Sequence, residues 1–281
     1  MNTDEAIFRQ GSTTYFTSSL FFGVQQRQDV TRLYSFVRTA DDYVDETPQR
    51  IGQLNDLIAI WQRLGDAPMR ELEASDQDEL NLRVTKNIAR LKIIYGFNVE
   101  WVDAFLVSML HDAQPKKYKT LDDSLQYVYG SAEVIGLMMA ALLRLPKESY
   151  ETARLQGRAM QWINFVRDVA EDNALGRCYF PQEDLKHFGL KDLKEATAQK
   201  QPEAFTEFMR LQIARYNDWQ KQASEGFAYL PRRARVAVAT ASDGYTYTAR
   251  TIAKDPLIVF GRKVKPSRAR LVVSAAGHIF D

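Results

Sequence analysis

A helical period runs through almost the whole chain, and proline interrupts it only at its joints. Apolar residues return every three to four positions over 49–64, 78–94, 98–112, 121–144, 147–173, 202–228 and 231–254. Pro48, Pro68, Pro115, Pro146, Pro181, Pro202, Pro231 and Pro256 fall between those segments, where a missing N–H costs least. Strand patterns are sparse and no Asn-Gly hairpin turn occurs. The longest irregular stretch is 172–184. With 281 residues, no tandem repeat and no low-complexity linker, the chain reads as one all-α domain over 1–281, larger than a four-helix bundle.

One helical segment carries a contradiction. Val30, Leu33, Tyr34, Val37 and Val44 form an apolar stripe, and Asp41 and Asp45 continue it. The run RTADDYVDE, 38–46, places four acids within six residues. Spacing alone decides nothing: composition predicts roughly five pairs of acids four apart, and the chain has four such pairs. Context separates them. Glu203 and Glu207 sit in the polar run QPEAFTEFMR and read as a solvated face. Asp41 and Asp45 point where a core is expected, and carboxylates turned inward without partners cost several kcal/mol each. Asn164, Asp168 and Asp172 make a second polar stripe, extended by Gln161, on a helix otherwise covered by Trp162, Phe165, Val166 and Val169.

Two readings follow. Two carboxylate stripes, one cysteine and three scattered histidines suit a hard cation, Mg²⁺ or Mn²⁺, with oxygen ligands. Alternatively both stripes are structural and salt-bridged, Arg38 serving Asp41 and Asp42, and Arg167 pairing with Glu171 one turn on.

Composition narrows the classes. The net charge of +1 asks for no nucleic acid. A lone Cys178 excludes an intrachain disulfide and a zinc–thiolate cluster, and fits a reducing compartment. It has no histidine nearby in sequence to make it a nucleophile. No secretion signal opens the chain, so it reads as cytoplasmic. The longest apolar run, Val134 to Leu143, is too short to span a bilayer. The run ARLVVSAAGHIF, 269–280, reads as a last packed helix and leaves a peripheral membrane contact open. No G-x-G-x-x-G or P-loop occurs.

Together RTADDYVDE, YGSAEVIGLMM at 129–139 and QWINFVRDVAEDNALGRCYFP at 161–181 resemble the squalene and phytoene synthase family of trans-isoprenyl diphosphate synthases, with prokaryotic phytoene synthases most similar in look. GSTTYF at 11–16 and KVKPSRAR at 263–270 also look like family segments, so the resemblance runs nearly end to end. It implies the all-helical isoprenoid (terpenoid) synthase fold around a central cavity, and Mg²⁺-dependent head-to-head joining of two prenyl diphosphates. It implies Asp41 and Asp45 as the first metal-binding pair, and Asp168 and Asp172, with Asn164, as the second. Asp42, Glu46 and Glu171 then support or pair. Diphosphate would meet Arg38, Arg167, Arg177 and Tyr179, with Ser12 and Thr14 near the second diphosphate and Gln161 beside the metal stripe. Tyr34 and Tyr245 match pocket aromatics, and Arg262, Lys263 and Lys265 are late phosphate contacts or a solvated basic run.

Ala132, Gly136 and Ala140 repeat every four residues, a strip that serves as a helix-packing groove or as a tunnel wall for the prenyl chains. Glu133 departs from the family, many members of which carry glycine there; it must pair or face elsewhere. The implied reaction joins two geranylgeranyl diphosphates into phytoene through prephytoene diphosphate. Farnesyl diphosphate would give dehydrosqualene, or squalene if NADPH is used. A non-catalytic helical assembly protein, and a related cyclase or hydrolase, are the rivals.

Overall fold

The computed structural model describes residues 3–75, 77–114 and 116–280, without the side chains of Thr13, Thr14 and Phe280. Pro115 therefore lies outside the described residues. Among the described residues sixteen α-helices follow one another: α1 Thr3–Gly11, α2 Thr13–Ser19, α3 Val24–Asp45, α4 Ile51–Leu64, α5 Leu80–Tyr95, α6 Val99–Ala113, α7 Leu121–Val128, α8 Val134–Leu142, α9 Tyr150–Arg167, α10 Val169–Ala174, α11 Gln182–His187, α12 Glu195–Lys200, α13 Pro202–Glu225, α14 Arg232–Lys254, α15 Ile258–Gly261 and α16 Arg268–Phe280. No strand occurs among the described residues.

Local chemistry sets many of the ends. Thr120 and Asp123 form a reciprocal capping box at the start of α7. Pro202 takes the first position of α13, where its missing N–H is not needed. Asn98 caps α6 with its side chain, and Gly96 closes α5 at φ 68, a conformation that favours glycine.

Two expected continuous helices are interrupted. A π turn, Tyr129–Glu133, joins α7 to α8. The resulting helical rod, Leu121–Leu142, is long and apolar enough to cross a membrane by length and composition. Just over half of its apolar window is buried inside the fold, as in the core helix of a globular protein. The expected helix 147–173 breaks at Asp168, whose φ −100 and ψ 16 separate α9 from α10. The region read as irregular, 172–184, contains the end of α10 and the start of α11. The short helices α1, α2, α11, α12 and α15 were not legible as periods.

Two hydrophobic clusters form. One gathers side chains such as Phe36, Leu54, Leu57, Ile88 and Phe105 from α3 to α6. The other gathers Trp162, Phe165, Phe180, Phe208 and Tyr216 from α9, the loop after α10, and α13. Members of both line a cavity of about 970 Å³ between them, Phe22, Val30 and Leu33 from the first and Phe165, Tyr179 and Tyr245 from the second.

Candidate active site

The acids of α3 stand at the C-terminal end of a 22-residue helix, where the macrodipole is already negative. Arginines answer them. Arg38 reaches Asp41 at 3.0 Å and Asp42 at 2.5 Å, as the spacing predicts. Glu46 turns to Arg50 at 2.6 Å. Asp45 is met from across the fold by Arg177 Nη1 at 2.6 Å.

Arg177 is the clamp of the site. It follows α10 in a turn closed by Gly176 at φ 71, a left-handed conformation. Its buried guanidinium also donates through Nη2 to the carbonyls of Val44 (2.6 Å) and Asp112 (3.1 Å). The loop after the second acidic motif is thus fastened to the end of the first. Tyr179, two residues on, donates to Asp112 Oδ1 at 2.8 Å, and Tyr127 donates to Asp112 Oδ2 at 2.6 Å. The hydroxyl of Tyr179 and the guanidinium of Arg177 therefore have protein partners in addition to their place on the cavity wall. Asp112, Tyr127 and Tyr15 were missed by sequence reading.

On the opposite side Arg167 grips Asp168 with Nε at 2.7 Å and Nη2 at 2.5 Å. The expected Arg167–Glu171 pair does not form. The break at Asp168 turns its carboxylate back onto Arg167, and Glu171 pairs instead with Lys263 from the chain's tail. Lys263 also lies 3.1 Å from Asp168. Lys263 and Lys265 line the cavity, whereas Arg262 does not. Asp172 makes no ion pair among the described residues.

Apart from Arg262, every residue expected to contact metal or substrate whose side chain is described lines this one cavity. Thr14 lies outside the described side chains. Ser12 Oγ accepts from the Tyr15 N–H at 3.2 Å and caps α2. Tyr34 stacks on Phe8 at 4.2 Å, and Tyr245 donates to the Tyr15 hydroxyl at 2.9 Å, which in turn faces Met160 Sδ at 3.3 Å. Ala132 and Ala140 are wall residues, and Gly136 serves both readings of the small strip: it lines the cavity, and a Cβ there would lie 2.2 Å from the Ala153 carbonyl. Glu133 is absent from the wall. It is 1% exposed and turned to α9, where Arg154 Nε (2.9 Å) and Arg158 Nε (2.6 Å) hold it. Glu203 and Glu207 are exposed, Glu207 pairing with Arg210. Burial pushes the Cys178 thiol up to about 11, which makes it a poor nucleophile at neutral pH.

The electrostatics are those of crowded carboxylates. Burial, then the neighbouring Asp45, pushes Asp41 up to about 8 despite Arg38. Its side chain is 36% accessible, but to the cavity it lines rather than to the outer surface. Burial, then Asp168, raises Asp172 well above the usual carboxylate range. Burial raises Asp112 to about 6, against the pull of Arg177 and its two tyrosines. Burial, then Arg167 and Lys263, lowers Lys265. Among the described residues no three acidic, histidine or cysteine side chains converge to hold a metal unaided. The donors nevertheless fit a hard cation that takes few protein ligands and fills its shell with water and phosphate. Among the described residues the Oδ1 of Asn164 is buried with no hydrogen-bond partner, and burial shifts Asp41 and Asp172 toward the neutral form, a shift that a cation would reverse.

Residues 8–270 match the family model described as squalene/phytoene synthase. A 15-cis-phytoene synthase of Enterobacter agglomerans is 28% identical over 273 residues, covering 95% of this chain and 92% of the relative. Another, from a Paracoccus species, is 28% identical over 96% of this chain and 87% of its own length. In fold the chain is similar to a ligand-bound dehydrosqualene synthase, with TM-score 0.83 and 23% identity over 98% of this chain and 93% of the other. A squalene synthase of Alicyclobacillus acidocaldarius superimposes with TM-score 0.73 at 20% identity, covering 90% and 92%.

Proposed function

The chain belongs to the squalene/phytoene synthase family, and on that premise we propose that it joins two geranylgeranyl diphosphates head to head to give phytoene, with Mg²⁺, as one domain built around one cavity. The observation that carries this reading is the cavity's polarity. Two acid stripes line it, with Arg38, Arg167, Lys263 and Lys265 among them, while the rest of the wall carries no Asp, Glu, Lys or Arg other than Asp112, Glu171 and Arg177 and is mostly apolar.

Asp41, Asp45, Asp168, Asp172 and Asn164 would hold Mg²⁺, or Mn²⁺, which supplies positive charge against the diphosphate as the allylic C–O bond breaks. Arg38 and Arg167 offer forked donors to the phosphate oxygens, Lys263 and Lys265 compact charge, and Ser12 and Thr14 hydroxyls for the second substrate. Arg177 acts in this reading by fixing Asp45 and the end of α3, and Tyr179 by fixing Asp112. The first substrate ionises and releases diphosphate; the double bond of the second attacks the allylic cation, and loss of a proton from the resulting carbocation closes the cyclopropane ring of prephytoene diphosphate. That intermediate ionises in turn, rearranges and loses a proton. The strip Ala132–Gly136–Ala140 gives the prenyl chains a smooth wall, and Ile135, Met139, Leu143 and Phe105 keep water from the cations. The faces of Tyr15, Tyr34 and Tyr245 present π-electrons to the same space. The product partitions into lipid, and we place the enzyme in the cytoplasm, working against a bilayer.

The dehydrosqualene and squalene synthases of similar fold favour a second reading, the same chemistry on farnesyl diphosphate, with NADPH if squalene is the product. Incubation of purified protein and Mg²⁺ with each diphosphate, with and without NADPH, followed by identification of the extracted hydrocarbon, separates them. Phytoene without NADPH is expected. Dehydrosqualene or squalene would change the substrate and keep the mechanism. No hydrocarbon from folded protein would overturn the proposal.

A further inference from the structure

The proposed reaction leaves Met160 without a task, although it lies in the cavity wall. It stands on α9 one turn before Asn164 and two turns before Asp168, about 6 Å and 12 Å along the axis, and all three line the cavity. Toward the start of the helix the wall continues as Gly157 and Ala153. Met160 is therefore where this face of α9 changes from oxygen donors to apolar surface. The allylic carbon of a diphosphate held at the donors lies at that height.

Its sulfur is held by a chain of hydroxyls. Tyr245 donates to the Tyr15 hydroxyl at 2.9 Å, and Tyr15 donates onward to Met160 Sδ at 3.3 Å. The three residues come from α14, α2 and α9. A methionine that only fills a gap in a core keeps its rotamer freedom and needs no hydrogen bond. Here one lone pair of the sulfur is fixed on Tyr15 and the other is left free. Burial raises both phenols above their ordinary value, so they stay neutral and present no phenolate for a cation to alkylate. The Tyr15 ring lies 6.5 Å from that of Tyr34 and 6.0 Å from that of Tyr245. Three aromatic rings and one thioether thus cluster in the wall.

What such a cluster can do follows from its softness. A carbocation shielded from water has no solvent dipoles to stabilise it, and a free carboxylate or phenolate beside it would capture it or take its proton. A thioether is uncharged and polarizable, so it is drawn to positive charge without serving as a base. The bond from Tyr15 withdraws electron density from the sulfur and lowers its nucleophilicity, so that contact with the cation stops short of an S–C bond. The rings act beside it through their faces.

We propose that Met160 is a catalytic residue whose sulfur, oriented by the Tyr15 hydroxyl, stabilises the allylic cation by noncovalent contact, with Tyr15 as its positioning residue. This deepens the proposed function and rests on the allylic cations of that reading.

Two analogues of a prenyl diphosphate test it by binding alone. One carries a tertiary ammonium in place of the third carbon of the chain, where the allylic cation shares its charge; the other keeps a neutral carbon there. Titration calorimetry of the full chain with Mg²⁺ should show a preference for the ammonium analogue. Met160→Leu, close in volume, should cut that preference by roughly threefold to tenfold, the range of contacts made by a polarizable sulfur. Affinity for the neutral analogue and the melting temperature should stay nearly unchanged. In turnover the same variant should lower kcat with little effect on KM. Tyr15→Phe keeps the ring and should lose part of the preference, and Tyr15→Phe/Met160→Leu should lose no more than Met160→Leu alone, because Tyr15 acts through the sulfur. An unchanged preference in Met160→Leu overturns the proposal. So does an equal loss of affinity for both analogues, which would make Met160 a packing residue, and so does a gain of one prenyl mass on Met160 during wild-type turnover, which would make the sulfur a nucleophile. Product analysis is read apart: hydrocarbon formed while Met160→Leu keeps the preference sinks the role of Met160 and leaves the reaction standing, whereas a wild type that binds neither analogue overturns both.

Discussion

Binding of Mg²⁺ should expel protons from this protein, and the number can be anticipated. Asp41 is pushed up to about 8 by burial and by Asp45. At neutral pH roughly nine in ten Asp41 carboxyls then carry a proton, and Asp172, displaced in the same direction, adds to that store. A cation that takes these oxygens must displace the protons. Apparent affinity should therefore rise by about tenfold per pH unit for each proton displaced, and level off above about pH 8. Titration calorimetry with Mg²⁺ alone, in buffers of different ionisation enthalpy, counts the protons without a contribution from phosphate; about one or more per binding event is expected near neutrality. Asp41→Asn should release fewer. The metal-free fold carries the matching signature. The folded carboxyl sits above its ordinary value of 3.8, so its contribution to stability is fully present below that pH and is lost as pH rises through about 8. Saturating Mg²⁺ should flatten that slope between about pH 4 and 8. Binding with no proton release at neutral pH, or equal release from wild type and Asp41→Asn, would refute the reasoning.

Other outcomes follow from the same geometry. Asp168→Asn should cost at least about a hundredfold in turnover with the helical fold intact, whereas Glu203→Gln should leave steady-state rates unchanged. Glu133→Ala should lower the unfolding free energy in urea by about 3–5 kcal/mol, because Arg158 is left buried without its carboxylate; Glu133→Ala/Arg158→Met should recover much of that. Gly136→Val should drive α8 from the Ala153 carbonyl, cost about 1–3 kcal/mol in thermal unfolding, and shorten the hydrocarbon formed or abolish it.

What sequence reading could reach was whatever repeats. Long amphipathic helices announce themselves at every turn, so α4, α5, α6, α13 and α14 were found within a few residues of their ends, and α3 by its stripe from Val30 to Asp45. Asp41 and Asp45 stood out because they occupy positions where an apolar stripe demands leucine or valine. Asp112 gave no such signal. It is one acid at a helix end, and what makes it matter is 15 and 67 residues away, at Tyr127 and Tyr179. The partners of Glu133 were hidden in the same way, although Arg154 and Arg158, four apart on one helix, formed a face that asked for a buried anion. Arg167 was assigned to Glu171 on the assumption of an unbroken helix. The break at Asp168 changes the neighbour, and the tail that brings Lys263 to Glu171 arrives from 92 residues on.

That substitution has a consequence for how the site waits for its ligands. Four cations at the polar end are already engaged: Arg38 with Asp41 and Asp42, Arg177 with Asp45, Arg167 with Asp168, Lys263 with Asp168 and Glu171. Such pairing neutralises most of the buried charge and, among the described residues, leaves Asp172 and Lys265 without ion pairs and the oxygen of Asn164 without a hydrogen bond. Diphosphate competes with the carboxylates for the arginines and lysines; a divalent cation competes with the same arginines and lysines for the carboxylates. Either ligand alone must break ion pairs and strand one partner in a poorly hydrated cavity, an expensive exchange. Arriving together, each compensates the groups the other releases. If the proposed function holds, the ion pairs that hold the two acidic motifs in place would be the same bonds that make the site selective for a metal–diphosphate pair over either component.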